Sequence, residues 1–140
     1  MPDFKSADRN QLFLLPPSIQ DWLPKDHLAR FVVEIVEQLD VNAINDSYNN
    51  KGTQAYSPKM LVGLLFYGYA TGVFFSRKLE RGTYDSVAIR FVAADSHPDH
   101  DTIANFRRRF HAEIADLFQQ VLLVAHEAGV LRLGTVSLDG

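Results

Sequence analysis

The 140-residue chain is 46% hydrophobic, 22% charged and free of cysteine, so it can bury a sizeable core and cannot hold a disulfide framework, a thiolate zinc site or a cysteine nucleophile. Met1 to Asn10 lack both the apolar run of a secretory signal and a transit-peptide composition, so a cytoplasmic protein is expected. The net charge of -3 argues against a nucleic-acid binder, yet residues 76–110 hold seven of the 14 Lys and Arg and only five of the 17 Asp and Glu, which leaves one basic segment in an acidic chain.

The hydrophobic period is helical nearly throughout, which predicts an all-α helical bundle over residues 1–134. Leu12 to Leu15 run into Pro16 and Pro17, and an extended arm is expected there. Beyond Pro24, Leu28, Phe31, Val32, Ile35, Val36 and Leu39 lie on one helical face, predicting a helix over residues 25–39. A weaker stretch over 41–48 ends in the turn-rich loop Asn49 to Gly52. Ser57 followed by Pro58 combines a capping hydroxyl with a proline at the first helical position, opening a helix to Gly72. The charge-free run from Met60 to Phe75 is 16 residues long, short of the roughly 20 a membrane span needs, and its glycines suit a buried core helix. Ser76 is the next expected cap, opening a basic helix over 77–81 that closes at Gly82. Asp85 then begins a helix through Val87, Phe91 and Val92, which residues 96–99 break. Asp101 or Thr102 caps a helix with Ile103, Phe106 and Phe110 on one face, and the period extends through Ile114, Leu117 and Val121 to Gly129, a C′ glycine. Thr135 to Leu138 alternate as a strand. With no partner strand elsewhere in the sequence, this ending predicts a fragment of something longer or a truncated gene product.

Three constellations could carry chemistry. The first is the basic segment, read as a helix-turn-helix-like module: Thr102, Asn105 and Arg108 or Arg109 would face a major groove while Arg77, Lys78, Arg81 and Arg107 hold phosphates. The same arginines could instead form a solvated face paired with Asp and Glu. The second is His97, His100 and Asp101, with Asp99 and His111 nearby, a ligand set open to a metal-dependent hydrolase and equally to a tight turn that starts a helix. The third is Asp139, a carboxylate at a strand end that could hold a divalent ion, although Asp-Gly is first a turn signal. A further alternative is a helical interaction module, a homo-oligomer in which the apolar faces of residues 28–39 or 60–75 pair with another copy. Trp22, Tyr67 and Tyr69 suit core or interface anchors better than stacking platforms.

Six stretches in order carry a family resemblance: Leu15-Pro-Pro-Ser-Ile-Gln-Asp-Trp-Leu-Pro24 with Asp26-His-Leu-Ala-Arg30; Tyr56-Ser-Pro-Lys-Met-Leu61; Leu65-Phe-Tyr-Gly-Tyr-Ala-Thr-Gly-Val73; Ser76-Arg-Lys-Leu-Glu-Arg81; His97-Pro-Asp-His-Asp-Thr-Ile103 with Phe106-Arg-Arg-Arg109; and Leu138-Asp-Gly140. Together they resemble the N-terminal part of insertion-sequence transposases of the DDE type. The resemblance implies a helical domain that binds double-stranded DNA at transposon ends; no membrane partner is expected, given the short run from Met60 to Phe75. In the full family protein a ribonuclease H-like catalytic domain follows, whose three acidic residues hold two divalent ions, Mg or Mn. By position Asp139 matches the first of these acids, catalytic and metal-holding only in a full-length protein. Residues 135–140 would then be the first strand of a truncated catalytic domain, and the 140-residue chain alone would be inactive and without a cofactor.

Overall fold

The computed structural model describes residues 18–48, 56–127 and 129, and every regular element among them is a helix. The chain enters through α1 (Ile19–Trp22), a single turn absent from the sequence expectation, capped by Ser18 whose Oγ accepts from the Gln20 N–H at 3.1 Å. α2 (Leu28–Glu37) starts later than expected. Residues 24–27 form a turn, and His27 Nδ1 accepts the Ala29 N–H at 3.0 Å, an imidazole serving as N-cap. Arg30 locks this entry: its guanidinium donates to the carbonyls of Pro24 (2.9 Å), Leu23 (2.7 Å) and Gln20 and to the Gln20 side chain, and it lies over the Phe91 ring. A short α3 (Asn42–Asn45) buries Ile44.

The centre of the fold is α4 (Pro58–Thr71), as the charge-free run that starts at Met60 predicts. Residues 61–68 are all buried, because a helix apolar on every side must be surrounded rather than laid on a surface. Ser57 Oγ accepts the Met60 N–H at 3.4 Å, Pro58 occupies the first turn, and Gly72 ends the helix in the left-handed region at φ +80°. α2, α6 (Val87–Val92) and α7 (His100–Arg109) pack around α4; α5 (Ser76–Asp85) lies across α6 and α7. Leu64, Leu65, Leu79 and Ile103 are almost fully excluded from solvent, each such side chain contributing about 2 kcal/mol of transfer free energy. No single described helix is long and apolar enough to cross a membrane.

Several predicted boundaries move, each for a local reason. Ser76 is the first helical residue of α5 rather than its cap; Phe75 holds the cap position without a side-chain hydrogen bond. α5 does not close at Gly82 but runs to Asp85, because Gly82 is a packing residue: a Cβ there would stand 2.4 Å from Ile89 Cδ1 of α6. The cap of α6 is Ser86, whose Oγ accepts the Ile89 N–H at 3.2 Å, not Asp85. The cap of α7 is Asp99, which accepts the Thr102 N–H at 2.7 Å, so neither Asp101 nor Thr102 has that role. The helical period past Phe110 is broken at that residue, and α8 (His111–Glu127) follows as a separate helix packed on α2 and α7. Gly129, at φ +77°, has the left-handed backbone expected of a C′ glycine. The extended arm, the loop 49–52 and the strand 135–138 lie outside the described residues.

Candidate nucleic-acid interface

α5 and α6 meet closely at Gly82, so one face of α5 is spoken for by packing. Leu79, Gly82 and Thr83 are buried there. Thr83 Oγ1 donates to the Glu80 carbonyl at 2.6 Å and stands 3.2 Å from His97 Nδ1. With the hydroxyl proton committed to the carbonyl, the imidazole must be the donor in the second contact. The Glu80 carboxylate turns the same way, accepting the backbone N–H of His100 at 3.2 Å and its Nδ1 at 2.7 Å. The acidic residue interleaved among the cations is thereby withdrawn toward the turn before α7. What remains outward on α5 is Arg77, Lys78, Arg81, Tyr84 and Asp85, all exposed. Arg77, Arg81 and Tyr84 fall at i, i+4 and i+7, one above another. Among the described residues none of the three cations forms an ion pair; Lys78 Nζ sits 5.6 Å from the Phe75 ring centroid.

α7 distributes its arginines differently. Arg107 points inward, donating from Nη1 to the Phe74 carbonyl at 3.0 Å and from Nη2 to Ser76 Oγ at 3.1 Å, which fastens the α4–α5 turn. Arg109 donates to the Ser47 carbonyl at 2.8 Å and lies 4.8 Å from the centroids of both Tyr48 and Phe110. Arg90, also in the basic segment, pairs with Asp95 at 3.1 Å and covers Trp22. Arg108 alone of the three consecutive arginines has no contact beyond its own helix, where it donates to Asn105 Oδ1. Asn105 and Arg108 are exposed and Thr102 is half-buried. The structure thus brings Arg77, Lys78 and Arg81 together on α5, sets Asn105 and Arg108 one turn apart on α7, turns Arg107 to the scaffold, and ties Arg109 to the scaffold while leaving it exposed.

The histidine cluster does not assemble as a metal site. The His97 ring stacks on Tyr84 with centroids 4.0 Å apart and planes 5° from parallel, whereas His100 is held by Glu80 and approaches Asp101 only at 3.6 Å through Nε2. Among the described residues no group of three or more His, Asp and Glu is arranged to hold an ion. The metal-dependent hydrolase alternative built on His97, His100 and Asp101 is therefore corrected: these side chains organise the turn into α7. Within the 60–75 stretch of the self-pairing alternative, residues 61–68 are buried in the chain's own core, while Phe74 and Phe75 are exposed. Asp139 lies outside the described residues. Sequence reasoning missed the structural uses of Arg30, Arg107 and Arg109, because a cation directed at carbonyls or rings has no acidic partner nearby in sequence to reveal it.

No curated protein and no solved structure matches the chain. A family model does, covering residues 17–109, from the residue before the Ser18 cap to the last residue of α7. All the exposed cations of α5, and Arg108 with them, fall inside that span. Since the match covers well over half of the molecule, the chain belongs to the family described as Transposase domain (DUF772).

Proposed function

We propose that this domain binds double-stranded DNA for a transposase of the DDE type, using the outward face of α5 with Arg108 of α7. The observation that carries the reading is the set of exposed cations Arg77, Lys78 and Arg81, unpaired with any described carboxylate. Guanidinium and ammonium groups left in this state are free to replace the counterions of a phosphate backbone. α6, the turn through Pro98 and α7 supply the helix-turn-helix-like part of the reading, with Asn105 and Arg108 as the groups able to address base edges. By the resemblance, Asp139 belongs to the acidic set of the following catalytic domain in a full-length protein.

The test is the salt dependence of binding to a transposon-end duplex, followed by fluorescence anisotropy. Replacing Arg77, Lys78 and Arg81 together by Ala should flatten the slope of log affinity against log salt by up to about 2.7, at roughly 0.9 per phosphate contact. These side chains are exposed, so the thermal midpoint should hold. Equal slopes for the wild type and the triple variant would refute the assignment.

A further inference from the structure

α2, α4 and α8 leave a groove between them that the described residues do not fill. Phe31 and Ile35 of α2, Phe66 and Tyr69 of α4, and Phe118 and Leu122 of α8 line a cavity of about 240 Å³, far beyond the roughly 10–15 Å³ that admits one water. Its lining holds no charged side chain, and Tyr69 alone brings a polar group. Leu28, Phe118 and Leu122 in its walls are 40%, 37% and 36% exposed. Such a lining has little to orient a polar ligand, and it gains free energy when something apolar covers it. The end of α8 gives the direction of a cover. Gly129 takes φ +77° and its N–H donates to the His126 carbonyl at 3.0 Å, the inner bond of a Schellman turn, in which the residue after the glycine packs back on the side chain five positions earlier. That position is Ala125, which is buried and shares a helical stripe with the groove residues Phe118, Val121 and Leu122, at i+7, i+4 and i+3 from them.

We propose that residues 130–134 of this chain, which lie outside the described residues, are the segment that occupies the groove. They read Val-Leu-Arg-Leu-Gly. Val130 completes the turn against Ala125, Leu131 and Leu133 enter the groove from one side of an extended segment, and Arg132 on the other side meets solvent. The reach suffices. Phe118 lies eleven residues before Gly129, about 16 Å along the helix, and five extended residues span about the same distance. Leu12 to Leu15 are the other apolar run outside the described residues, but the chain enters at Ser18, which shares a surface pocket with Arg90 and Asp95, neither of them a groove residue, whereas α8 is itself a wall of the groove. A second copy is a poor occupant, because a two-fold interface sets the same patch against itself, one concavity against another, and leaves both unfilled. Seated in this way, the segment fixes where residues 135 onward leave the helical domain, and it does so independently of any DNA contact.

The experiment uses the 140-residue chain, with the apolar dye anilinonaphthalene sulfonate and methyl NMR as probes. In the wild type the groove should be closed to the dye, and the Leu131 and Leu133 methyls should show NOEs to the rings of Phe31, Phe66 or Phe118. Leu131→Asp with Leu133→Asp should open the groove, raising dye emission and lowering the thermal midpoint by roughly 5–10 °C. Leu131→Ala with Leu133→Ala, which adds no charge, should move both readouts in the same direction, and Leu131→Met with Leu133→Met should keep both near the wild type. A mixed sample of isotope-labelled and unlabelled chains separates the occupants, since contacts within one chain vanish from the spectrum filtered for label-to-unlabelled pairs. The proposal is overturned if the wild type binds the dye as strongly as the variants do, if the Asp and Ala variants melt like the wild type, if neither leucine shows a groove NOE, or if those NOEs appear in the filtered spectrum, which would make a second copy the occupant.

Discussion

Two adjacent arginines that sequence treats alike should behave oppositely on substitution. Arg107 reaches out of α7 to hold two groups of the α4–α5 turn, the Phe74 carbonyl and Ser76 Oγ, and is half-buried; Arg108 is exposed and touches only Asn105 of its own helix. A hydrogen bond from a charged donor contributes about 1.5–3 kcal/mol when well shielded. Partial exposure brings the two Arg107 bonds together to roughly 1–3 kcal/mol. In a domain of this size that is a fall in midpoint of about 4–12 °C. The Arg108 contact, a same-helix pair, is worth about 0.5 kcal/mol at most, or roughly 2 °C. Arg107→Ala should therefore lower the midpoint measured by circular dichroism and leave the salt slope for a blunt duplex unchanged when binding is read well below that midpoint. Arg108→Ala should hold the midpoint and weaken duplex binding by about 1–3 kcal/mol, the loss expected of a base-edge contact. The division of labour would be refuted by an Arg107→Ala protein that melts like the wild type yet loses as much duplex affinity as Arg108→Ala.

Gly68→Ala should destabilise the fold even though alanine is the better helix former by about 1 kcal/mol, because its Cβ would stand 2.5 Å from the Val73 carbonyl oxygen and 3.3 Å from Leu79 Cδ2. Overpacking of this kind costs about 1–3 kcal/mol, and a variant more resistant to urea than the wild type would show that the turn yields freely. Asp99 supplies a pH-dependent component: the hydrogen bonds from Thr102, backbone first, hold its carboxyl below the ordinary aspartate value. Its folded pKa being lower than its unfolded one, the contribution is present above the unfolded value and is lost as pH falls through the folded value. Asp99→Asn keeps a capping side chain without the charge, so the gap between wild-type and variant midpoints should shrink from about pH 6 toward about pH 2. A gap constant across that range would mean the charge has no part in the cap.

The elements that sequence reading located best are those whose signal is chemical rather than merely periodic. Ser57-Pro58 and Gly72 bound α4 where they should because a hydroxyl, a fixed proline φ and a positive-φ glycine each satisfy a requirement local to one helix end. Boundaries slipped where the deciding contact is distant in sequence. Gly82 reads as a stop signal until Ile89 is seen against it, and His27 does not read as a cap because imidazole is a rare acceptor in that position. α1 depends on Arg30 gathering the carbonyls of the chain ahead of it, and α7 breaks from α8 at Phe110, where a buried ring sits at the junction. Both arise from tertiary contacts that a hydrophobic period does not encode.

The candidate site was legible as a region and not as a set of side chains. Charge counting identified residues 76–110, and the family match spans all but the last of them. Counting treats every cation as equivalent, however, whereas folding sorts them by what lies within reach. Arg90 finds a carboxylate and a ring, Arg107 a carbonyl and a hydroxyl, Arg109 a carbonyl and two rings. Arg90 and Arg107 are half-buried as a result, whereas Arg109 stays exposed while engaged with the scaffold. The triplet Arg107 to Arg109, the densest basic run in the sequence, is thereby left with one cation bonded only within its own helix, and Arg77, Lys78 and Arg81 become the larger unpaired cluster because Gly82 and Thr83 press the opposite side of their helix into the domain. The same rotation brings Tyr84 outward beside them. A face that sets Tyr84 among cations is thus a consequence of how α5 packs, and its chemistry emerges only when helix orientation is known.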